Sequence, residues 1–181
     1  MAEIYLPFSD ENVRAIAEGR KTQTRRPIKG MEAVVSEGVE EDRVMAEALS
    51  LSLPASPGDI LCVKEALEKQ EAMSGPNLVE AAVYSADGRP VDHAVPWRWK
   101  RWKLPSIFMP YAYCRYKYPL VGFWPEKLGD ISEEDAEAEG VRSMVKDEDT
   151  HRHIFALKWH EIYGKWDPKL WVWVYDWGEP F

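Results

Sequence analysis

The chain has 181 residues, 45% of them hydrophobic and 30% charged, with a formal net charge of −8. That length fits one domain able to bury its core without a metal or disulfide staple, and two cysteines, Cys62 and Cys114, are too few and too widely spaced for a disulfide scaffold or zinc knuckle. No run of about 18 apolar residues suits a membrane span, the first residues lack the regions of a signal peptide, and the acidic balance argues against a nonspecific coat on nucleic acid, so the expected location is cytoplasmic.

In chain order, Glu3–Leu6 reads as a strand and Asp10 to about Glu18 as a helix. Ser9 is its N-cap, Val13, Ile16 and Ala17 form an apolar stripe, and Gly19 stops it. The string Gly19-Arg20-Lys21-Thr22-Gln23-Thr24-Arg25-Arg26-Pro27 follows. A hydroxyl needs a base to become a nucleophile, and Lys21 serves if burial or neighbouring arginines lower its pKa. In a regular strand residues 21 and 24 point to opposite faces, so the pair needs a bend. The same string also reads as a basic loop that meets phosphate or solvent.

Residues 30–56 are acidic, lack periodicity and read as a surface insertion. Strands are expected at Ile60–Lys64, after the Pro57-Gly58-Asp59 turn, and at Val79–Ser85. Between Trp97 and Lys117 six cations and no acid are interleaved with aromatic rings. Such a stripe stacks bases and meets phosphates, or else is a half-buried strand with its cations turned outward; both readings stand. Tyr113–Leu120 is a further expected strand.

Two helices follow, over Glu133–Glu139 and from Asp149 to Tyr163. Ser132 and Asp135 form the first one's capping box and Gly140 ends it, while Gly164 ends the second. Glu139 lies in a last helical turn, where the dipole opposes a carboxylate; that suits acid–base work if the group is buried, and it reads equally as a solvated glutamate. Phe155, Trp159 and Ile162 share a helix face. His151 and His153 diverge on that helix, and no metal or other cofactor is expected. Last, Leu170–Trp177 alternates with aromatics at 171, 173, 175 and 177, a pattern for filling a core or barrel. Short helices among short strands give an α+β class with a small mixed or barrel-like sheet.

The residues Gly19, Lys21, Thr22, Thr24 and Arg26 resemble the opening motif of the ASCH domain family, and Leu128–Gly140 resembles that family's helix segment. The whole chain is similar to longer ASCH proteins of phages and prophages, through Val13–Arg26, Gly58–Glu65, Trp102–Arg115, Leu128–Gly140 and Trp166–Tyr175. Gly30–Ser56 and Ala66–Pro96 lie outside the likeness. The resemblance implies a single domain over 1–181, a PUA-like small β-barrel of mixed strands with flanking short helices. It also implies an amidohydrolase acting on N4-acetylcytidine-type substrates, with Lys21, Thr24 and Glu139 catalytic. Arg25, Arg26, Trp99, Trp102, Lys103 and Arg115 are the expected substrate or nucleic-acid ligands, although the small relative that hydrolyses N4-acetylcytidine lacks the Trp97–Lys117 cluster. The implied partner is a modified nucleoside or RNA, with no membrane involved. A noncatalytic module for RNA or single-stranded nucleic acid, or a ribonuclease, with the same basic cleft is the alternative; fold kinship does not decide between them.

Overall fold

The computed structural model describes residues 1–29, 53–74, 77–91, 95–141 and 150–180. Nearly all of the expected insertion, and the first residue of the expected last helix, lie outside them. The chain is a mixed α+β fold built on two sheets. The larger contains β1 (Glu3–Pro7), β2 (Gln23–Pro27), β3 (Ile60–Lys64), β7 (Lys117–Lys127) and β8 (Trp171–Trp177), in the order β1-β3-β7-β8-β2. The β1–β3 pair is parallel and the other pairs are antiparallel. The smaller is β5 (Asn77–Tyr84), β4 (Leu67–Ser74) and β6 (Lys103–Leu104), with β4 central. Among the described residues three α-helices flank them: α1 (Asp10–Ala17), α2 (Glu133–Ala138) and α3 (His151–Tyr163).

The capping chemistry fixes the helix starts. Ser9, Ser132 and Thr150 accept backbone N–H bonds from Asn12, Asp135 and His153, respectively, which satisfies donors a first turn leaves orphaned. The expected strand Tyr113–Leu120 is corrected. Pro105 and Pro110 open two 3₁₀ turns, Ser106–Phe108 and Tyr111–Tyr113, and pairing begins only at Lys117 and then runs on to Lys127. A fixed proline φ and a missing donor favour such turns over a ladder.

β8 carries the core on both faces. Trp171, Trp173 and Tyr175 pack with Ile28, Leu120 and Phe123, while Val172 and Val174 lie under Phe155 and Trp159 of α3 and Ala136 of α2. That explains the unbroken apolar run at residues 171–175, where one solvated face would require polar residues. Among the described residues, backbone hydrogen bonds do not close the larger sheet into a barrel. Its edges β1 and β2 nevertheless approach: Arg26 Nη2 donates to Pro7 O at 2.7 Å, and its guanidinium stands 5.1 Å from the Phe8 ring centroid. Ile4 and Leu6 of β1 pack into the cluster that holds Ile28, just beyond β2. No helix among the described residues is long and apolar enough to cross a membrane.

Candidate functional site

The site forms where α1 ends, β2 begins and α2 ends. Gly19, at φ 69°, turns the chain out of α1. Lys21 N donates to Ala15 O at 3.1 Å and Thr22 N to Ala138 O at 2.8 Å, while Thr22 O accepts from Trp177 N at 3.0 Å. The segment thus crosses from the end of α2 to β8 before it settles into β2. Lys21 and Glu139 face each other across an isolated antiparallel bridge. Gly140 allows that approach: its φ is 81°, and a Cβ there would stand 2.8 Å from Lys21 Cβ.

Lys21 and Glu139 are both buried, at 2% and 6% exposure. Lys21 Nζ donates to the Glu139 carboxylate at 2.5 Å and to the Glu139 carbonyl at 2.8 Å. Burial drives the Lys21 pKa below its ordinary 10.5, with Arg25 and Arg26 adding to the drop and Glu139 opposing it. In its deprotonated form the amine has two N–H donors, and with both directed to Glu139 its lone pair can act as a base.

Arg25 ties Glu139 down from the other side. Its Nη1 donates to Glu139 Oε1 at 3.3 Å, its Nε donates to Glu126 Oε1 at 2.6 Å, and Asp135 stands 3.6 Å from Nη2. The carboxylate at the end of α2 is therefore met by two buried basic groups, the Lys21 amine and the Arg25 guanidinium, whose donors offset the unfavourable end of the helix dipole.

Thr24 is buried on β2, opposite Tyr175 of β8, and its hydroxyl makes no hydrogen bond among the described residues. Lys21, Thr24, Arg25, Arg26 and Glu139 all line one cavity of about 500 Å³. β2 is an edge strand, and its successive residues Thr24, Arg25 and Arg26 all border this space although their side chains alternate between faces; Lys21 lies before the strand, on its bridge to Glu139. The far walls are the first turn of α1 and the aromatic side of α3, with Phe155, Trp159 and Tyr163. Trp159 and Tyr163 ring centroids lie 4.3 Å apart.

The remaining sequence candidates lie away from that cavity. Trp99 packs edge-on against Trp97 over the smaller sheet, at 4.9 Å between centroids. Trp102 is 66% exposed. Arg115 makes a two-bond fork with the fully buried Glu65 at 2.9 and 2.7 Å, and stands 3.8 Å from the Tyr84 ring centroid. Lys103 Nζ bonds Asp10 Oδ2 and Glu68 Oε1, each at 2.9 Å, and so touches a cavity residue without lining the cavity.

Sequence reasoning missed the contribution of α1's first turn and took the Phe155–Trp159–Ile162 face only as a helix stripe. The available signal was that the next expected helix after the segment ending in Glu139 carries an aromatic face.

The chain matches no protein-family model and no curated protein. Among solved structures it is similar to a high-resolution crystal structure of an ASCH domain from Lactobacillus crispatus JV V101. Sequence identity is 12%, the match covers 97% of this chain and 77% of that one, and the TM-score is 0.37. At that score the likeness carries no weight for the chemistry of this chain.

Proposed function

We propose that this chain is an ASCH-type amidohydrolase that removes an acyl group from the N4 amine of a modified cytidine such as N4-acetylcytidine. One observation carries the reading: a buried Lys21–Glu139 pair and an unpartnered Thr24 hydroxyl line the same cavity. The motif resemblance at Gly19–Arg26 and Leu128–Gly140 supports it, and the aromatic wall of α3 suits a flat base.

In the reaction, Thr24 Oγ1 attacks the acyl carbonyl carbon while its proton passes to the neutral Lys21 amine. The Arg26 Nε–H, buried and unpartnered, stabilises the oxyanion that forms. Lys21 hands the proton to Glu139 across their 2.5 Å contact, and Glu139 delivers it to N4 as the C–N bond breaks. Cytidine leaves and the acyl group remains as an ester on Thr24. Glu139 then takes a proton from water, the resulting hydroxide attacks the ester, and the proton returns to Thr24 as the carboxylic acid departs.

The noncatalytic nucleic-acid reading needs cations free to meet phosphates. Arg25, Lys103 and Arg115 are each engaged by carboxylates, which weighs against it.

Release of cytidine from N4-acetylcytidine by the purified protein, followed chromatographically, tests the proposal. Lys21→Met and Glu139→Gln are each expected to lower the rate by about two to four decades. An inactive wild type, or variants that match it, sinks the amidohydrolase reading.

A further inference from the structure

Every buried side-chain polar atom without a hydrogen-bond partner among the described residues belongs to a residue that lines the site cavity. They are Asp10 Oδ1, Arg25 Nη2, Arg26 Nε and Trp159 Nε1. An unsatisfied buried polar atom carries a desolvation cost and calls for an explanation. That all four residues border the same cavity points to a polar ligand there. Arg25 Nη2 has Asp135 at 3.6 Å to balance its charge, and Arg26 is assigned to the oxyanion above. One acceptor, on Asp10, and one donor, on Trp159, remain without a task.

Asp10 is held firmly with one oxygen to spare. Its Oδ2 accepts from Ser85 Oγ at 2.6 Å and from Lys103 Nζ at 2.9 Å, and both of those groups also bond Glu68 Oε1. Glu68 and Ser85 belong to β4 and to the turn that leaves β5, and Lys103 to β6. The smaller sheet therefore fixes the orientation of a carboxylate in the cavity of the larger one. Trp159 is 3% exposed, so its N–H is not available to bulk solvent.

We propose that Asp10 and Trp159 are the specificity-determining residues of this cavity: Asp10 Oδ1 accepts a hydrogen bond from a sugar hydroxyl of the ligand, and Trp159 Nε1 donates one to the pyrimidine edge. This rests on the reading of the cavity as a nucleoside site. With N4 placed at Thr24, the features left to recognise are the O2 and N3 acceptors of cytosine, which match an N–H donor, and the hydroxyls of the sugar. Carboxylates take ribose hydroxyls in the same manner where a fold binds dinucleotides. A site that binds a hydroxyl with a buried acceptor rejects the analogue that lacks it, because the acceptor is then left unpaired.

The test is equilibrium binding, which needs no turnover: cytidine against 2′,3′-dideoxycytidine, titrated into the wild type, Asp10→Asn and Trp159→Phe, each checked for folding by circular dichroism. Wild type is expected to favour cytidine by about tenfold to a hundredfold, the range for a hydrogen bond to a charged group. Asp10→Asn should lose that preference, and Trp159→Phe, which keeps most of the ring but lacks the N–H, should bind both ligands about tenfold more weakly with the preference intact. No binding of cytidine, no preference in the wild type, or a preference that survives Asp10→Asn overturns the proposal. An Asp10-dependent preference in a protein that fails to hydrolyse N4-acetylcytidine leaves this inference standing and removes the amidohydrolase reading alone.

Discussion

Cations and aromatic rings are interleaved in two regions of this protein, the cavity beside β2 and the strip from Trp97 to Arg115, yet they complete their bonds differently. In the strip, Arg115 is forked onto Glu65 and reaches Asp87, Lys103 is shared by Asp10 and Glu68, and Trp97 Nε1 donates to Arg101 O at 3.0 Å. In the cavity, Trp159 Nε1, Arg26 Nε and the Thr24 hydroxyl are left over. The same residue types thus build a support in one place and a site in the other. What separates the two is not composition but which polar atoms remain unsatisfied after folding.

Arg115→Ala breaks that comparison from the structural side. Glu65 is fully buried, and burial already pushes its pKa up against the pull of Arg115. Left alone, its carboxylate is an uncompensated buried charge, so the variant should lose about 3 kcal/mol in a denaturant titration. A loss near zero, combined with weakened nucleoside binding, would move Arg115 from support to site.

A smaller effect separates Lys21 from an ordinary ion-paired lysine. Its folded pKa is depressed, so the unfolded chain binds its proton more tightly and stability rises with pH from that lowered value up to 10.5. Lys21→Met should remove this rise, which a comparison of unfolding free energies at neutral and alkaline pH will detect. In the rate of the wild type, the same group should give an ascending limb with its midpoint below 10.5. A limb at or above 10.5 would show that the amine is not the base.

The smallest effect is expected at Trp102, whose ring is mostly exposed. Trp102→Ala should change stability by no more than about 0.5 kcal/mol and leave turnover intact. A marked fall in turnover would restore the basic-aromatic strip as a substrate ligand.

Much of this architecture was legible in the sequence because local chemistry decides it. The caps at Ser9 and Ser132 and the glycines 19, 140 and 164 marked the helix ends to within a residue. The run Ile60–Lys64 is the strand it was expected to be. The candidate triad could be named from motif strings, but its convergence depends on the Lys21–Glu139 bridge, a pairing between residues 118 positions apart that no local pattern encodes. The role of Lys103 was illegible for the same reason. A basic residue among tryptophans reads as a ligand for phosphate, whereas its partners Asp10, Glu68 and Ser85 come from three other parts of the chain. Prolines 105 and 110 were visible, yet the aromatic run around them suggested an earlier start to β7 than the turns allow.

The most direct measurement is the rate of N4-acetylcytidine hydrolysis by Thr24→Val, in which a methyl group of similar shape replaces the hydroxyl while the Lys21–Glu139 pair is left in place. The wild type is expected to release cytidine and acetate, and the variant to fall by about two decades or more while it still binds cytidine. Equal rates for the two proteins would contradict the assignment of Thr24 as the nucleophile.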